Sequence, residues 1–494
     1  MLLAACFPHY NQSYLVWIAG LPLLAALLFE PCLKQAYLLG ATAGSMFLGL
    51  SVYWFAGVME HYGRMSPEAA IGVMALFLIV DSSYWGAFGV LVAWMARRSC
   101  GLALLASPFL WVAMDLAQTY GYFGGFPWNL LGYGIQSRGL RQAATVTGVY
   151  GLSFLALATS AFAAWALIEL RPTRRHLAQI VLVVWVSGLL IANRVLQPPP
   201  IAEGKQLAIL VQPDVPLNES AEGWAPWQNP GPLHHLLDLT LEKLRQAPAV
   251  AGAPLIVWSE NSAPFYFDRD PVFRAAVEKL AREAGAYLIV GATNFANGGT
   301  SRPLNSAVAL DPTGSVISQY DKIHLVPFGE YVPAWLDRWV GKITSEVGNF
   351  VPGSNYAPAR GAEGGIGIFI CYEEIFPQLV RRLAPRGPGL LVNISDDAWY
   401  GDTSASYQTM EMARLRAVEN RLYLLRATND GITDVIDPYG RVLAMLPRHR
   451  QAALMARFDY EGEETFYAAH GDVFAWLCLG IGVVLAAQAA RRRI

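Results

Sequence analysis

The strongest constraint on this chain is a set of seven apolar stretches, each close to the ~20 residues that a helix needs to cross a lipid bilayer. They lie at 14–30, 36–58, 69–96, 102–120, 143–169, 177–196 and 473–490. Six of them precede a long polar block and one follows it. This pattern predicts a transmembrane helical bundle over residues 1–196, a water-exposed domain over 197–472, and a transmembrane helix with a basic tail over 473–494.

The charged residues are distributed unevenly. Only 15% of the 494 residues are charged, against about 25% in soluble proteins. Residues 1–196 carry 10 basic and 6 acidic side chains, whereas residues 197–472 carry 23 basic and 32 acidic ones. An acidic soluble block argues against a nucleic acid partner, which a basic patch would attract.

Basic residues in the short loops predict the orientation of the chain in the membrane. Four basic clusters occur between or after the apolar stretches: Lys34; Arg97 and Arg98; Arg171, Arg174 and Arg175; and Arg491 to Arg493. Because basic short loops stay in the cytoplasm, their alternation predicts that residues 197–472 lie on the outer side of the membrane.

The same alternation requires the chain to reach residue 14 from the outer side. Residues Met1–Pro8 are therefore expected to be the short remnant of an eighth span, from an internal start or a truncated first helix. The alternative is that these residues lie at the membrane interface.

The soluble block reads as alternating strands and helices. Apolar, β-branched runs predict strands at 206–212, 254–259, 286–292, 366–371, 389–395 and 421–428. Helical periodicity occurs at 232–247, 271–285, 375–384 and 405–420. Two further hairpins are predicted at Asp311-Pro312-Thr313-Gly314 and Asp437-Pro438-Tyr439-Gly440. Hairpins combined with strand–helix units predict two layers of sheet covered by helices.

Three residues of the soluble block occupy positions typical of catalytic groups. Cys371, the only one of five cysteines in this block, ends a strand just before a helix, where backbone N–H groups are expected to lower the pKa of its thiol. Glu260 follows another strand, and Lys322 follows a hairpin. A carboxylate can take the thiol proton, and an ammonium can stabilise an oxyanion. Taken singly, each is also compatible with a surface charge or an inert buried thiol.

The order Glu260, Lys322, Cys371 resembles that of the nitrilase superfamily of carbon–nitrogen hydrolases. With its membrane segments, the whole chain resembles the apolipoprotein N-acyltransferase family. The segments that carry the resemblance are GFPWNLLGY at 125–133, LVPFGEYVP at 325–333, NISDDAWYGD at 393–402 and MARLRAVENRLYLLRATNDGIT at 412–433. The resemblance implies a polytopic α-helical membrane bundle, with seven clear spans and the remnant of an eighth, that carries an α/β nitrilase-like αββα sandwich domain.

The resemblance also implies roles for individual residues. Cys371 would be the nucleophile, Glu260 the general base and Lys322 the oxyanion stabiliser. The supporting active-site residues would be Glu330, Tyr372 and Glu373. A functional tryptophan is expected in the loop after the first strand, where both Trp224 and Trp227 fit, and Trp399 of the NISDDAWYGD segment is a further candidate for substrate binding.

Two more tryptophans draw attention through their context. Trp335 and Trp339 lie in a long segment, 334–362, that has few regular signals. Such long loops often cover functional sites, and tryptophan favours the membrane interface. These side chains are expected to gate lipid entry; the alternative is that they pack as a small core beneath the loop.

The implied reaction is a two-step acyl transfer on the periplasmic side of a bacterial inner membrane. The donor is a membrane phospholipid, the intermediate is a Cys371 thioester, and the acceptor is the N-terminal amine of the diacylglyceryl cysteine of an apolipoprotein. No metal or cofactor is expected. One alternative is a membrane-tethered amidase that passes the acyl group to water, and another is a non-enzymatic membrane scaffold or transporter.

Overall fold

The computed structural model describes residues 1–61, 65–215, 230–248, 252–261, 266–295, 302–327, 329–331 and 350–492. Its contacts divide the chain into two units. The membrane unit comprises Met1–Gly57, Ser66–Pro199 and Ala469–Ile494, and the sheet unit comprises Val58–Met65 and Pro200–Ala468.

The described residues form helices and strands in the following order. The helices are α1 (Leu2–Ala5), α2 (Leu21–Phe29), α3 (Leu33–Ser51), α4 (Trp54–His61), α5 (Pro67–Ala96), α6 (Cys100–Tyr120), α7 (Ala144–Ile168), α8 (Pro172–Val195), α9 (Gly231–Arg245), α10 (Pro271–Ala284), α11 (Pro377–Leu383), α12 (Ala405–Asn420), α13 (Phe466–His470) and α14 (Val473–Arg491). The strands are β1 (Gln206–Gln212), β2 (Leu255–Trp258), β3 (Tyr287–Phe295), β4 (Pro303–Leu310), β5 (Val316–Asp321), β6 (Ala359–Arg360), β7 (Gly365–Ile370), β8 (Gly389–Ser395), β9 (Leu424–Thr428), β10 (Asp434–Ile436), β11 (Val442–Met445) and β12 (Ala452–Phe458). Short 3₁₀ turns lie at Ser13–Trp17, Tyr122–Gly124, Leu131–Gly134, Leu140–Ala143, Cys371–Ile375 and Asp397–Tyr400.

Five of the seven predicted spans are confirmed as helices that are long and apolar enough to cross a membrane. Among the described residues these are α5, α6, α7 with the 3₁₀ turn before it, α8 and α14. The span predicted at 36–58 is a pair of helices, α3 and α4, that meet at an angle of 62°. The prediction of seven clear spans therefore holds for five, or for six when this bent pair is taken as one.

The first predicted span, 14–30, is shorter than a typical crossing helix. The apolar helical segment runs from Ser13 to Phe29 and consists of a 3₁₀ turn followed by α2, with Pro22 in the first turn of α2. Because proline has no backbone N–H, it suits the start of a helix and does not continue an upstream one. This explains the break inside an otherwise apolar stretch.

Close backbone packing holds α3 against α5 in the membrane unit. A Cβ atom at Gly40 would lie 2.2 Å from the Trp85 carbonyl oxygen, and one at Gly89 would lie 2.5 Å from that of Ala36. Neither position has room for a side chain. Small residues at such contacts are how membrane helices approach one another without a hydrophobic driving force.

The sheet unit contains two six-stranded sheets. The strand order is β12-β1-β2-β3-β4-β5 in the first sheet and β11-β10-β9-β8-β7-β6 in the second. Strands β1, β2 and β3 are parallel to one another, as are β7, β8 and β9, and every other pair of neighbouring strands is antiparallel, so that β5 runs in the same direction as β2. The carboxyl ends of β2 and β5 therefore lie at one edge of the first sheet, and those of β7 and β8 at one edge of the second.

The two sheets face each other and carry helices on their outer sides. Strands β1 and β2 contact β9, and β4 contacts β7. A buried core joins α9 and α10 to the outer side of the first sheet, through side chains such as Leu236, Val277 and Ile256. Each such side chain contributes about 1.5–3 kcal/mol by leaving water. On the second sheet, α11 contacts β7 and α12 contacts β9.

These layers confirm the predicted αββα arrangement. Every strand and helix predicted from the sequence of the soluble block has a counterpart within a few residues, and both predicted hairpin turns connect antiparallel strands, β4 to β5 and β10 to β11. One edge was not predicted. β12 pairs with β1 over seven residues, from Gln206 with Phe458 to Gln212 with Ala452.

Candidate active site

The candidate site is built at the carboxyl ends of strands, where the backbone leaves each sheet. Glu260 follows β2 by two residues, Lys322 directly follows β5, and Cys371 directly follows β7. Within the sheet unit the structure brings all three side chains together: Lys322 Nζ lies 3.6 Å from Glu260 Oε1, and the Cys371 thiol is close enough to both charges that Glu260 raises its pKa and Lys322 lowers it. The three residues singled out from the sequence therefore share one site.

A close approach of backbone positions Glu260. A Cβ atom at Gly291, on β3, would lie 2.4 Å from the Ser259 carbonyl oxygen and 2.8 Å from the Glu260 Cα atom. Any residue larger than glycine at position 291 would push away the backbone of Ser259 and Glu260. The site thus depends on a neighbouring strand that carries none of its reactive groups.

Lys322 lies between two carboxylates in a nearly dry environment. Its Nζ atom is 3.0 Å from Glu330 Oε1 and 3.6 Å from Glu260 Oε1, and its side chain is 1% exposed. Burial opposes the charged form of Lys322, but Glu330 and Glu260 outweigh that effect and raise its pKa. The ammonium therefore stays charged, as an oxyanion partner must.

Asn305 and the Asp396 backbone fix the two carboxylates. Asn305 Nδ2 donates to Glu260 Oε1 at 2.7 Å and to Glu330 Oε1 at 2.8 Å. The Asp396 backbone N–H donates to Glu260 Oε2 at 2.9 Å. Burial raises the pKa of Glu260 while Lys322 opposes that rise, and Glu330 adds to it. The result is an oriented carboxylate that is more basic than an ordinary glutamate.

Cys371 has a left-handed backbone conformation, with φ of +52°, and its side chain is buried at 8% exposure. Burial raises the pKa of its thiol well above the usual range; Glu260 adds to this and Lys322 opposes it. The predicted lowering of the thiol pKa is therefore wrong. Burial and the neighbouring Glu260 carboxylate both disfavour the thiolate, and the helical turn after Cys371 has only five residues, Cys371–Ile375.

Glu373 ties the loops around the site together. Its carboxylate accepts from the Tyr320 hydroxyl at 2.8 Å, from the backbone N–H groups of Ile323 and His324 at 2.7 and 2.9 Å, and from that of Ile370 at 2.7 Å. Burial raises the pKa of Glu373 to about 7, against the effect of these donors. Glu373 therefore ties the segment that carries Lys322 to the end of β7, which Cys371 directly follows.

Glu330 and Tyr372 also lie at the site. Glu330 Oε2 accepts from the Val326 backbone N–H at 2.8 Å, which closes the loop after β5 on itself. The Tyr372 ring packs edge-on against Phe376 at 5.1 Å and faces His324 at 5.9 Å. Tyr372 thus belongs to an aromatic wall beside Cys371.

Four of the five tryptophans predicted to bind substrate cannot be compared with the site. Trp224, Trp227, Trp335 and Trp339 lie outside the part of the chain that the structure describes. Trp399 is described and is 43% exposed, in the turn Asp397–Tyr400. Its role stays a prediction.

Sequence reasoning missed several groups that surround the site. Asn305 bridges the two carboxylates, and the Ser395 side chain opposes the rise in the pKa of the Cys371 thiol. Behind them, Arg426 contacts Glu374 at 3.1 Å. Ser395 ends the strand predicted at 389–395 and lies in the segment NISDDAWYGD at 393–402, which was a signal for it, whereas no pattern in the sequence marks Asn305.

Among the described residues, Asp214, Asp430 and His449 form a cluster in which the atoms that could bind a metal lie within 4.8 Å of one another. The Arg448 guanidinium lies 3.1 Å from Asp430 Oδ2 and already balances its charge. We therefore assign no metal to this cluster.

Comparison with known proteins gives two family matches. Residues 224–465 match the carbon–nitrogen hydrolase family, and residues 1–162 match the N-terminal domain of apolipoprotein N-acyltransferase. The first match confirms the nitrilase-like fold that the sequence predicts for the soluble block.

Similar proteins match over almost the whole chain. The apolipoprotein N-acyltransferase of Geobacter metallireducens is 37% identical, over 100% of this chain and 94% of the relative. That of Methylococcus capsulatus is 32% identical, over 96% and 92% of the two chains. Among solved structures, a carbon–nitrogen hydrolase from Helicobacter pylori is 18% identical and covers 51% of this chain and 88% of its own, with a TM-score of 0.38.

Proposed function

The chain belongs to the apolipoprotein N-acyltransferase family, and from this premise we propose that it moves a fatty acyl chain from a membrane phospholipid to the N-terminal amine of a diacylglyceryl-cysteine lipoprotein. The observation that carries the proposal is one buried site in which the Glu260 carboxylate lies 3.6 Å from the Lys322 ammonium and both act on the buried Cys371 thiol. This set is suited to acyl transfer through a covalent intermediate.

In the first half-reaction Glu260 takes the proton from the Cys371 thiol as the sulfur attacks the ester carbonyl carbon of the phospholipid. Lys322 stabilises the oxyanion that forms on the carbonyl oxygen. The intermediate then collapses, the carbon–oxygen bond breaks, and Glu260 returns the proton to the departing lysophospholipid. Two features support this route: the raised pKa values of both Glu260 and the thiol, which favour sharing one proton, and the charged form of Lys322.

In the second half-reaction the α-amine of the lipoprotein attacks the thioester carbon. A thioester reacts readily with amines, so the enzyme divides one difficult transfer into two easier ones. Glu260 takes a proton from the attacking amine, and the carbon–sulfur bond breaks to give the amide and to regenerate Cys371. The proton count closes because the proton held by Glu260 returns to the thiolate.

The remaining predicted site residues take supporting roles in this proposal. Glu330 shares Lys322 with Glu260 and keeps the ammonium charged. Glu373 holds the loops that carry Lys322 and Cys371, and Tyr372 forms part of the wall beside the nucleophile. Trp399 and the tryptophans at 224, 227, 335 and 339 are proposed to contact lipid.

We assign the chemistry to residues 197–472, on the periplasmic side of the bacterial inner membrane. The bundle over 1–196 and the helix and tail over 473–494 would anchor this domain beside its substrates. Both proposed substrates are lipids held in the outer leaflet, so an anchored domain gains proximity that diffusion through water would not provide.

The orientation predicts where reporter fusions are active. Alkaline phosphatase, which needs export for activity, should be active when fused after residue 205 and nearly inactive when fused after residue 175, because Arg171, Arg174 and Arg175 retain that loop in the cytoplasm. Enzyme activity normalised to fusion-protein level is the measurement. The reverse pattern would place the candidate site on the wrong side for outer-leaflet substrates.

A hydrolase is the second candidate, because the carbon–nitrogen hydrolase match covers residues 224–465. The two functions differ in their acceptor. We expect lysophospholipid release by the purified protein to continue beyond one turnover only when a diacylglyceryl peptide with a free N-terminal amine is added. The N-acetylated form of the same peptide is the control. Sustained release with the blocked peptide would identify water as the acceptor and reject the transferase.

A further inference from the structure

Ser395 connects the nucleophile to a buried charged cluster that the mechanism above does not use. Ser395 is the last residue of β8. The residue before it, Ile394, pairs with Ile370 on β7, the residue before Cys371. This register places the backbone of Ser395 beside that of Cys371, and the Ser395 hydroxyl lies near enough to the sulfur to lower the pKa of the thiol by favouring the thiolate. Its Oγ atom also donates to Asp397 Oδ1 at 2.6 Å.

The Asp397 carboxylate in turn lies against Arg426. Its Oδ2 atom is 3.9 Å from Arg426 Nη2, with both side chains completely buried, and it has no hydrogen-bond partner among the described residues. Arg426 also contacts Glu374 at 3.1 Å and Asp434 at 3.7 Å. A row of contacts therefore runs from a buried guanidinium through a carboxylate and a hydroxyl to the thiol.

The hydroxyl has only one proton to donate and two neighbours that can accept it. A serine hydroxyl offers one donor and two acceptor lone pairs. While Cys371 is a neutral thiol, the better acceptor is Asp397, as the short contact indicates. Once Glu260 has removed the thiol proton, the thiolate carries a full charge within reach of the same hydroxyl.

We propose that Ser395 is a switchable hydrogen-bond donor to Cys371 and that Asp397 is the positioning residue that aims it. In the resting enzyme Ser395 donates to Asp397; when the thiolate forms, the hydroxyl turns and donates to sulfur. No covalent bond changes in this step, and the only proton that moves between residues goes from Cys371 to Glu260. Arg426 keeps Asp397 in place while Asp397 lacks the serine donor. This inference rests on Cys371 being the nucleophile of the proposed function.

Several other charged or titratable groups face these two residues. Those that face the Cys371 thiol are Glu260, Lys322, Asp397 and Tyr400. Those that face Asp397 are Glu374, Asp396, Tyr400, Asp430, Asp434, Arg426 and Arg448. A test must therefore separate the hydroxyl switch from a direct effect of charge on the thiol.

The test is the pH dependence of Cys371 alkylation by iodoacetamide in the full-length purified protein, with no lipid substrate added. Peptide mapping distinguishes Cys371 from the four other cysteines. Removing the donor in Ser395→Ala should lower the alkylation rate about tenfold at a given pH on the rising limb, since a hydrogen bond to a charged group is lost. Ser395→Thr keeps the hydroxyl and should retain the wild-type profile.

Asp397→Asn should have the opposite effect, because a neutral amide competes less for the serine proton and frees it for the thiolate. In the Ser395→Ala background Asp397→Asn should have no further effect, since it acts through the hydroxyl. Asp434→Asn is the matched control: it removes an acid from the same Arg426 cluster, and Asp434 makes no hydrogen bond to Ser395. Its alkylation profile should match that of the wild type.

Two results would overturn the inference. An unchanged profile in Ser395→Ala would mean that the serine hydroxyl does not stabilise the thiolate. An equal shift from Asp397→Asn in both backgrounds would mean that the aspartate acts on the thiol by its charge alone. Alkylation needs neither phospholipid nor lipoprotein, so a failure of the acyl-transfer function would not alter this readout.

Discussion

Replacing Cys371 with alanine should reduce acyl transfer to the assay background, because loss of a covalent nucleophile costs on the order of 10⁶ in kcat. The wild-type protein, incubated with phospholipid and no lipoprotein, should stall after its first half-reaction and gain the mass of one fatty acyl chain. Peptide mapping should locate that mass on Cys371. Neutral hydroxylamine should remove it, as expected for a thioester.

The acceptor should then discharge the acyl-enzyme. A diacylglyceryl peptide with a free N-terminal amine should remove the acyl mass within one turnover, and its N-acetylated form should not. A hydrolase would lose the acyl group at the same rate with either peptide, and a scaffold would never gain it.

Cys100→Ala is the matched control for Cys371→Ala. Cys100 is an exposed cysteine that begins α6, far in sequence from the candidate site. Its replacement removes one thiol and should leave both the adduct and turnover unchanged. If Cys371→Ala acquires the same hydroxylamine-sensitive adduct, another residue is the nucleophile and the proposed mechanism is wrong.

The strands and turns of the sheet unit could be predicted because their signals are local. A run such as 389–395 is mostly apolar and includes the β-branched residues Val392 and Ile394, and it forms β8 with the predicted bounds. The Asp-Pro-Xaa-Gly segments supply the backbone angles that tight turns need. The edge pairing of β12 with β1 was missed because the two strands are about 240 residues apart and share no local signal.

The membrane segments show the limit of a hydropathy argument. Apolar length predicts that a segment can enter a bilayer, but it does not predict that the helix is straight. Residues 36–58 carry no charged side chain, yet α3 ends at Ser51 and α4 starts at Trp54, at an angle of 62°. The two residues at the break are Val52 and Tyr53, and neither is a proline or a glycine that would mark it in the sequence.

The candidate site was predictable in its reactive groups and unpredictable in their environment. The contexts of Glu260, Lys322 and Cys371 carry recognisable patterns. The side chain that orients Glu260 is Asn305 on β4. No local motif marks Asn305, and only the pairing of the strands brings its Nδ2 atom to 2.7 Å from Glu260 Oε1. The pKa of Cys371 depends on burial against many side chains, so its direction could not be read from the turn that follows β7.

The charges of the site should be interdependent, which can be tested with Glu260→Gln and Lys322→Met. Glu260→Gln keeps the shape of the side chain but removes the base, so acylation of Cys371 should fall roughly 100-fold or more. Lys322→Met removes the oxyanion partner and should cost about 2.7–4 kcal/mol, or ~100–1000-fold in rate. The measurement is the amount of acyl-enzyme that has formed at fixed times after phospholipid is added, compared between each variant and the wild type.

The pH dependence distinguishes the two losses. Burial raises the pKa of Glu260. As the pH falls, wild-type acylation should therefore begin to slow at a higher pH than it would with an ordinary glutamate as the base. Lys322 opposes that rise, so its removal in Lys322→Met should raise the pKa of Glu260 further. The acid limb of the remaining activity should therefore move to higher pH in Lys322→Met and should be lost in Glu260→Gln.

Lys279→Met is the matched control for the lysine variant. Lys279 lies on α10, 67% exposed, and its amine is 3.7 Å from Glu283. Such a surface pair contributes little to stability, so this variant should retain the wild-type rate and pH profile. Near-normal acylation in Glu260→Gln or in Lys322→Met would remove that residue from the mechanism. An unmoved acid limb in Lys322→Met would show that the ammonium does not set the basicity of Glu260, and the shared-proton account of the first half-reaction would fail with it.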